Sequence, residues 1–523
     1  MSTFVGNLMG RKQGKAKVAV SISEPRNLSA AIFKASLLAL LGSVTLTWTF
    51  MTPFGGVADE PAYALYANVV ASGQGYGPAK VPAYVAGFDA LTCFAFKPDV
   101  TARCPQEAGW ESLGEGLVSV RSDNMISGYP DAYFWIVGQP SRVLSGFPAV
   151  YLMRFFSWAL GMSLITLMVL FWPRLHRSSL VIATLLASTP MVGSFVGAIN
   201  PNGFEIVSGL SLSGLLTSLM LNSDQRGRSL VRNSMHLSAI LIAMLALSVA
   251  KPWSFIFTFT ITSAFLLASI VMALQGKWRA GTSRGTGYRR SESLWILLML
   301  ALSIVVGYAS NGTYRSVMAQ RGTTKGVVSL WDSTYVILNN FTGYALELIG
   351  IFGWRDHGPP LLVLVLWASA IVAFVIYGLG RLLIPYRVLL LGFITGVLLV
   401  IPAFSNKVLG LLGGAGFQSR YVGAVFCAIP FIVVAYLYLS GRPLEVLPAA
   451  NLAPALVWWF FVLQIASLSW SFMRFSVGFP LVKHQLFWDF QWVPNYWFVA
   501  LVGLLVFAGS SIAVRIQLRN PAS

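Results

Sequence analysis

Residues 35–63 read ASLLALLGSVTLTWTFMTPFGGVADEPAY: an apolar run as far as Pro53, then, a few residues on, the adjacent carboxylates Asp59 and Glu60. An α-helix covers the hydrocarbon core of a bilayer with ~20 apolar residues. Ala35 to Pro53 is therefore a first membrane span, and the acid pair sits near the bilayer boundary. The rest of the 523-residue chain agrees, with 56% hydrophobic and 10% charged residues and a mean hydropathy of +0.70. That excludes an ordinary soluble globule and leaves little room for a large soluble domain. No cleaved leader is expected, because the first span is long enough to stay as a helix.

Working outward, residues 1–34 carry Arg11, Lys12, Lys15, Lys17, Arg26 and Lys34 against Glu24, a basic tail. Residues 54–146 form a polar loop rich in Gly, Pro and aromatics, with an amphipathic helix expected over 61–72 and stopped by Gly73, Gly75 and Gly77. Cys93 and Cys104 share this loop, so a disulfide between them is expected if the loop faces an oxidising compartment. Further spans read as 148–172, 178–198, 203–222, 235–250, 253–275, 293–311, 360–380, 387–403, 421–440, 453–473 and 494–514. A second exterior segment covers 312–359. Within it 327–352 reads as a helix lying in the interface or re-entering, since Asp332, Asn339, Asn340 and Glu347 interrupt its apolar pattern. The expected fold is an all-α polytopic membrane protein of about twelve spanning helices, with a basic tail at 1–34 and a membrane domain over 35–523.

An even number of crossings puts both termini on one side, and the charges test this. The tail and the loops on its side hold 21 Lys/Arg and 4 Asp/Glu; the rest of the chain holds 15 and 14. Nearly the whole net charge of +18 thus falls on one face, the positive-inside pattern of a multi-pass protein with cytoplasmic termini. The basic excess is accounted for by topology and by contact with anionic lipid, and nucleic acid is not an expected partner.

On that topology five unusual polar groups reach the outer side. Asp59 and Glu60 read either as acids in the first turn of the helix 61–72 or as a general base with a divalent-metal ligand. Asn200-Pro201-Asn202-Gly203 reads as a helix cap, or as two amides for sugar hydroxyls. Lys251 before Pro252 is an interfacial anchor or a phosphate ligand. Arg355, Asp356 and His357 lie in the turn before residue 360, where His357 is loop structure or a substrate contact. Gln418, Arg420 and Tyr421 follow a glycine-rich stretch, Gly413-Gly414-Ala415-Gly416, that opens a span. Exposed backbone N–H groups, the helix dipole and an Arg fork together suit a phosphate. There is no Walker A pattern, nicotinamide glycine fingerprint, HExxH or CxxC, which argues against ATP-driven transport and zinc hydrolysis.

Taken together, Asp59-Glu60-Pro61-Ala62, Asn200-Pro201-Asn202-Gly203, Gly353-Trp354 and Gly416-Phe417-Gln418-Ser419-Arg420-Tyr421 resemble a family of bacterial polytopic membrane proteins. It is catalogued as a domain of unknown function, number twenty-one forty-two. The chain departs from that pattern at Tyr63, where His is usual, and at Ser419, where Gly is usual. The family in turn resembles the GT-C glycosyltransferases, which pass a sugar from a polyprenyl-phosphate carrier to an acceptor glycan or lipid on the outer face of the membrane. The resemblance implies Asp59 as base or metal ligand with Glu60 as its partner, a possible Mg²⁺ or Mn²⁺, and Arg420 as a donor-phosphate ligand. Lys251 and Arg355 would assist at the phosphate, with Asn200, Asn202, Gln418, Tyr421 and His357 at the substrate. It also implies a bacterial plasma membrane and a cell-wall polysaccharide setting. The alternatives are a transporter or lipid flippase, which should carry ionisable groups or broken helices near mid-membrane, and an assembly protein that docks through the long loop.

Overall fold

The computed structural model describes residues 24–75, 77–102, 116–122, 128–222, 230–275, 290–321, 329–411, 417–479 and 496–519. The first span, α1 (Glu24–Met51), carries hydroxyls that hydrogen-bond within the helix: Thr45 to Leu41 at 2.8 Å, Thr47 to Ser43 at 2.7 Å and Thr49 to Thr45 at 2.9 Å. This is how polar side chains are carried through an apolar span. After Pro53 the chain turns into α2 (Glu60–Ala71).

The long loop continues with β1 (Gly77–Pro82) and β2 (Leu117–Ser122), paired antiparallel with Gly77 opposite Ser122 and Pro82 opposite Leu117. This ribbon was not legible in the sequence: β1 carries two prolines, which remove ladder donors and weaken the strand pattern. Next come α3 (Asp131–Gly138) and the second span, α4 (Gly146–Phe171). Most of α2 is buried, against α3 among other elements, so it is an internal helix and not one with a wet face. Cys93 is disulfide-bonded; Cys104 lies outside the described residues.

The third expected span is broken. α5 (Arg177–Ala187) and α6 (Pro190–Val196) meet at 78°. Pro190 cannot continue the hydrogen-bond ladder. The Leu186 carbonyl that Pro190 leaves without a donor accepts from Trp367 Nε1 at 3.3 Å, the Ser188 carbonyl accepts from Gln464 Nε2 at 3.0 Å, and Thr189 donates to the Leu348 carbonyl at 3.2 Å. A break within a membrane is tolerated where the protein re-satisfies its backbone in this way.

The remaining spans are α7 (Pro201–Leu221), α8 (Leu230–Ser248), α9 (Phe255–Leu274), α10 (Arg290–Ser310), α13 (Leu361–Leu379), the pair α14 (Ile384–Thr395) and α15 (Ile401–Leu411), the span Ser419–Leu439 that ends in α16 (Ile429–Leu439), α17 (Ala453–Ser476) and α18 (Tyr496–Arg519). Among the described residues eleven helices are long and apolar enough to cross, or up to twelve with the bent pair. The all-α polytopic expectation therefore holds. The stretch expected to lie in the interface is two short helices, α11 (Leu330–Asn339) and α12 (Phe341–Gly350).

α7 and the span Ser419–Leu439 form the centre of the bundle, buried on nearly every side. They touch at Gly209, where a Cβ would stand 2.6 Å from the Ala424 carbonyl, so only glycine permits that approach. α1 packs against α18 along its length. The long loop, α11, α12 and the turn 351–360 share one end of the bundle, here the loop end; the described termini share the other.

One buried ion pair ties the loop end together. Arg154 of α4 is 1% exposed and Glu60 is fully buried. Arg154 donates through Nε to Glu60 Oε1 at 2.8 Å and through Nη2 to Oε2 at 2.6 Å. Its other donors reach the carbonyls of Thr49 at 3.0 Å, Thr52 at 2.6 Å and Pro53 at 2.8 Å. All five guanidinium N–H groups are used. Glu60 also accepts from the backbone N–H of Gly55 and of Ile199, each at 3.0 Å. The pair thus clamps the C-terminal end of α1, the start of α2, α4 and the turn before α7. Removing one partner of such a pair leaves a bare buried charge. Arg154→Met is expected to cost about 3–5 kcal/mol, read as a large drop in the thermal unfolding midpoint of the detergent-purified protein or as failure to accumulate.

Candidate functional site

Asp59 stands one residue before that clamp, with φ +64°. A non-glycine residue in this left-handed region is uncommon, although Asp tolerates it better than most. The strained backbone turns the side chain away from Glu60. Asp59 Oδ2 accepts from Arg420 Nη2 at 2.6 Å, a contact between residues 361 positions apart. The Asp59 side chain is 35% exposed and that of Arg420 11%. Arg420 Nε and the neighbouring Gln418 Oε1 are buried without a hydrogen-bond partner. A donor and an acceptor stand unused beside the ion pair, and buried polar atoms of this kind ordinarily find partners.

Aromatic groups surround the pair. The Tyr421 ring lies between two cations, 5.7 Å from the Arg420 guanidinium and 4.9 Å from Lys251 Nζ. Tyr63 and Tyr129 are hydrogen-bonded to each other, with ring centroids 6.1 Å apart. Burial, reinforced by neighbouring phenols and Asp59, pushes both phenols well above their ordinary value, so both remain neutral donors.

Behind Tyr421 lies a second buried group. Lys251 Nζ donates to Asn202 Oδ1 at 2.8 Å and to Glu205 Oε2 at 3.2 Å, while Ser254 donates to Glu205 Oε1. Asn200 caps α7: its Oδ1 accepts from the Asn202 backbone at 2.9 Å and from Asn202 Nδ2 at 2.6 Å, and its Nδ2 donates to the Ala58 carbonyl at 2.9 Å. Asn200 and Asn202 are fully buried. Their amides hold the backbone on which Asp59 sits and face no open space.

The turn 352–358 supports the pair from the other side. Gly353, φ +62°, gives its carbonyl to Ala58 N–H at 3.2 Å, and Trp354 Nε1 donates to the Gly55 carbonyl at 2.8 Å. Arg355, also in the left-handed region, is paired with Glu347. Glu347 Oε2 accepts from the Ser419 hydroxyl at 3.0 Å, next to Arg420. Ser419 thereby makes a bond that a glycine at this position could not.

His357 belongs to a separate cluster. Its Nδ1 meets Asp356 Oδ1 at 2.9 Å and its Nε2 meets Ser471 Oγ at 3.1 Å. Asp356 Oδ2 accepts from Arg474 Nη2 at 2.6 Å, and Arg474 also reaches the carbonyls of Phe94, Lys97 and Val100. This network staples α17 to the long loop and to the turn.

The structure thus brings together Asp59, Arg420, Tyr421, Gln418, Lys251 and Arg355. It places Glu60, Asn200, Asn202 and His357 in supporting contacts. Glu60, expected as catalytic partner and metal ligand, has two hydrogen bonds on each oxygen and nothing left for a cation. The donor set beside Asp59 is arginine and tyrosine, and among the described residues no three His, Cys, Asp or Glu gather as a metal site. These residues as placed do not fit Mg²⁺ or Mn²⁺. Gly413-Gly414-Ala415-Gly416 lies outside the described residues. Sequence reading gave no site role to Arg154, Arg474, Glu347, Tyr63 and Tyr129. Arg154 had a usable signal, an arginine inside an apolar span.

A family model covers residues 43–429. The chain belongs to the predicted membrane protein family DUF2142. The family match takes in Asp59, Arg154, Lys251, Arg355 and Arg420, and stops short of Arg474. No curated protein and no solved structure gives a significant match.

The His357 cluster has a pH signature. Burial, with Arg474 adding to it, holds His357 below its ordinary value of 6.5 against the pull of Asp356. Burial opposes ionisation of Asp356, but His357 and Arg474 outweigh it and hold that carboxyl below 3.8. Both folded values are depressed. The His357 contribution is full above about pH 6.5 and is lost as pH falls toward the folded value; that of Asp356 is lost only below about pH 4. The thermal midpoint is expected to fall between about pH 7.5 and 5.5, and His357→Gln is expected to flatten that slope.

Proposed function

We propose that the protein is a membrane glycosyltransferase that moves a sugar from a polyprenyl-phosphate donor to an acceptor glycan or lipid, with Asp59 and Arg420 at the reacting centre. The observation that supports this best is the Asp59–Arg420 contact itself: a partly exposed carboxylate and a phosphate-binding side chain, held 2.6 Å apart by helix ends that the rest of the chain fixes. On this reading the donor phosphate replaces the Asp59 carboxylate on the Arg420 fork, with the unused Nε as a further donor. Asp59, released, takes the proton of the acceptor hydroxyl. The acceptor oxygen bonds to the sugar carbon as its bond to the phosphate oxygen breaks, with inversion, and the pair of electrons leaves on the polyprenyl phosphate. Arg420, itself 11% exposed, stabilises that developing anion.

Lys251, seated behind Tyr421 and paired with Glu205, keeps its own partners on this reading. On this reading the one-sided charge of the loops supports an orientation in a bacterial plasma membrane with this end outside and cytoplasmic termini.

A carrier is the second reading, favoured by the broken span at 187–190 and the buried Lys251–Glu205 pair. Transfer assays separate the two. In proteoliposomes with a labelled polyprenyl-phosphate sugar, Asp59→Asn and Arg420→Ala are each expected to lower transfer by about 10²-fold or more, with unfolding midpoints near wild type. Full transfer by Asp59→Asn overturns the assignment. Solute uptake that ignores both substitutions favours a carrier.

A further inference from the structure

At the terminal end of the bundle a cavity of about 910 Å³ opens between the start of the broken span, the connection 445–451 and the end of α18. Among the described residues four arginines line it, Arg174, Arg177, Arg515 and Arg519, with a single acidic side chain, Glu445. That acid is already engaged: it meets His176 Nδ1 at 2.8 Å and accepts from the backbone N–H and hydroxyl of Ser179. Arg177 is fixed over the Phe33 ring at 5.2 Å and against Ser29, which in turn donates to Gln517 at 2.9 Å. Arg515 lies 5.7 Å over Trp458, and its Nε is buried without a hydrogen-bond partner. Loop arginines alone follow from topology. Their convergence on one cavity, with the Glu445 carboxylate turned to other partners, does not.

We propose that this cavity binds the phosphate-bearing headgroup of an anionic phospholipid of the inner leaflet. The volume exceeds what a free phosphate fills. Apolar side chains stand exposed at its edge, Leu175 at 80%, Leu452 at 58% and Ile516 at 52%, and provide a surface for acyl chains beside the cations. Arginine forks recognise a phosphodiester through paired N–H donors, and basic pockets between spanning helices on the cytoplasmic side are a recurrent form of such sites. Residues 1–23 carry four basic and no acidic side chains, so charge disfavours that segment as the occupant. The site is independent of the proposed chemistry at Asp59.

The test is native mass spectrometry of the full chain, purified in detergent and titrated with phosphatidylglycerol or phosphatidylcholine. Wild type is expected to retain phosphatidylglycerol at least about tenfold better. Arg174 and Arg519 are exposed, so the double variant R174Q/R519Q is expected to keep its unfolding midpoint and to lose most of the preference, while R174K/R519K retains it. Equal retention of the two lipids, or an undiminished preference in R174Q/R519Q, overturns the proposal. So does inorganic phosphate that displaces phosphatidylglycerol at millimolar concentration, which assigns the cavity to a soluble anion.

Discussion

The buried Glu60–Arg154 pair is the constraint on which the loop end depends. A carboxylate and a guanidinium removed from water are tolerated only when every lone pair and N–H finds a partner, and here each does. The partners come from four pieces of chain, so the pair can be satisfied only when α1, α2, α4 and the turn before α7 are all in place. The clamp converts a desolvation penalty into a specification of geometry. It also explains why the adjacent acid is left free for other work: Glu60 is consumed, and the left-handed turn at Asp59 sends the second carboxylate elsewhere.

That second carboxylate meets Arg420 at the start of the innermost span. The helices there are buried on nearly every side, so the guanidinium is delivered by a part of the bundle with little room to shift. Around it the polar groups are ranked by freedom. Asn200, Asn202, Glu205 and Lys251 are locked into one another; Arg355 and Glu347 hold Ser419; Arg420 Nε and Gln418 Oε1 remain unengaged. A site with fixed surroundings and a few unmatched polar atoms is the pattern expected of preorganised electrostatics, and the strain at Asp59 and Arg355 is concentrated at the same place.

The membrane character, nearly every span and the absence of a full-length span just before residue 353 were legible in the sequence, because twenty-residue apolar runs and their interruptions are strong signals. The convergence of Asp59 and Arg420 was legible only as a consequence of topology, through shared ends of antiparallel spans. Three things were not. The β-ribbon is short, and the glycine and two prolines of β1 leave only Ala79-Lys80-Val81 to alternate. The break between α5 and α6 lies within one apolar run, and the side chains that make it tolerable, Trp367 and Gln464, are far away in the chain. The division of labour between Asp59 and Glu60 depends on Arg154, ninety-four positions on, and no local pattern announces which neighbour an arginine will choose.

The central claim is that Arg420 exchanges the Asp59 carboxylate for a lipid phosphate. The most direct measurement is an experimental structure of the protein in lipid nanodiscs with a polyprenyl-phosphate sugar bound. The account predicts phosphate density within hydrogen-bond distance of Arg420, Asp59 turned toward the sugar, and the Glu60–Arg154 pair unchanged. Phosphate density elsewhere in the molecule, with Asp59 and Arg420 still joined, would contradict it.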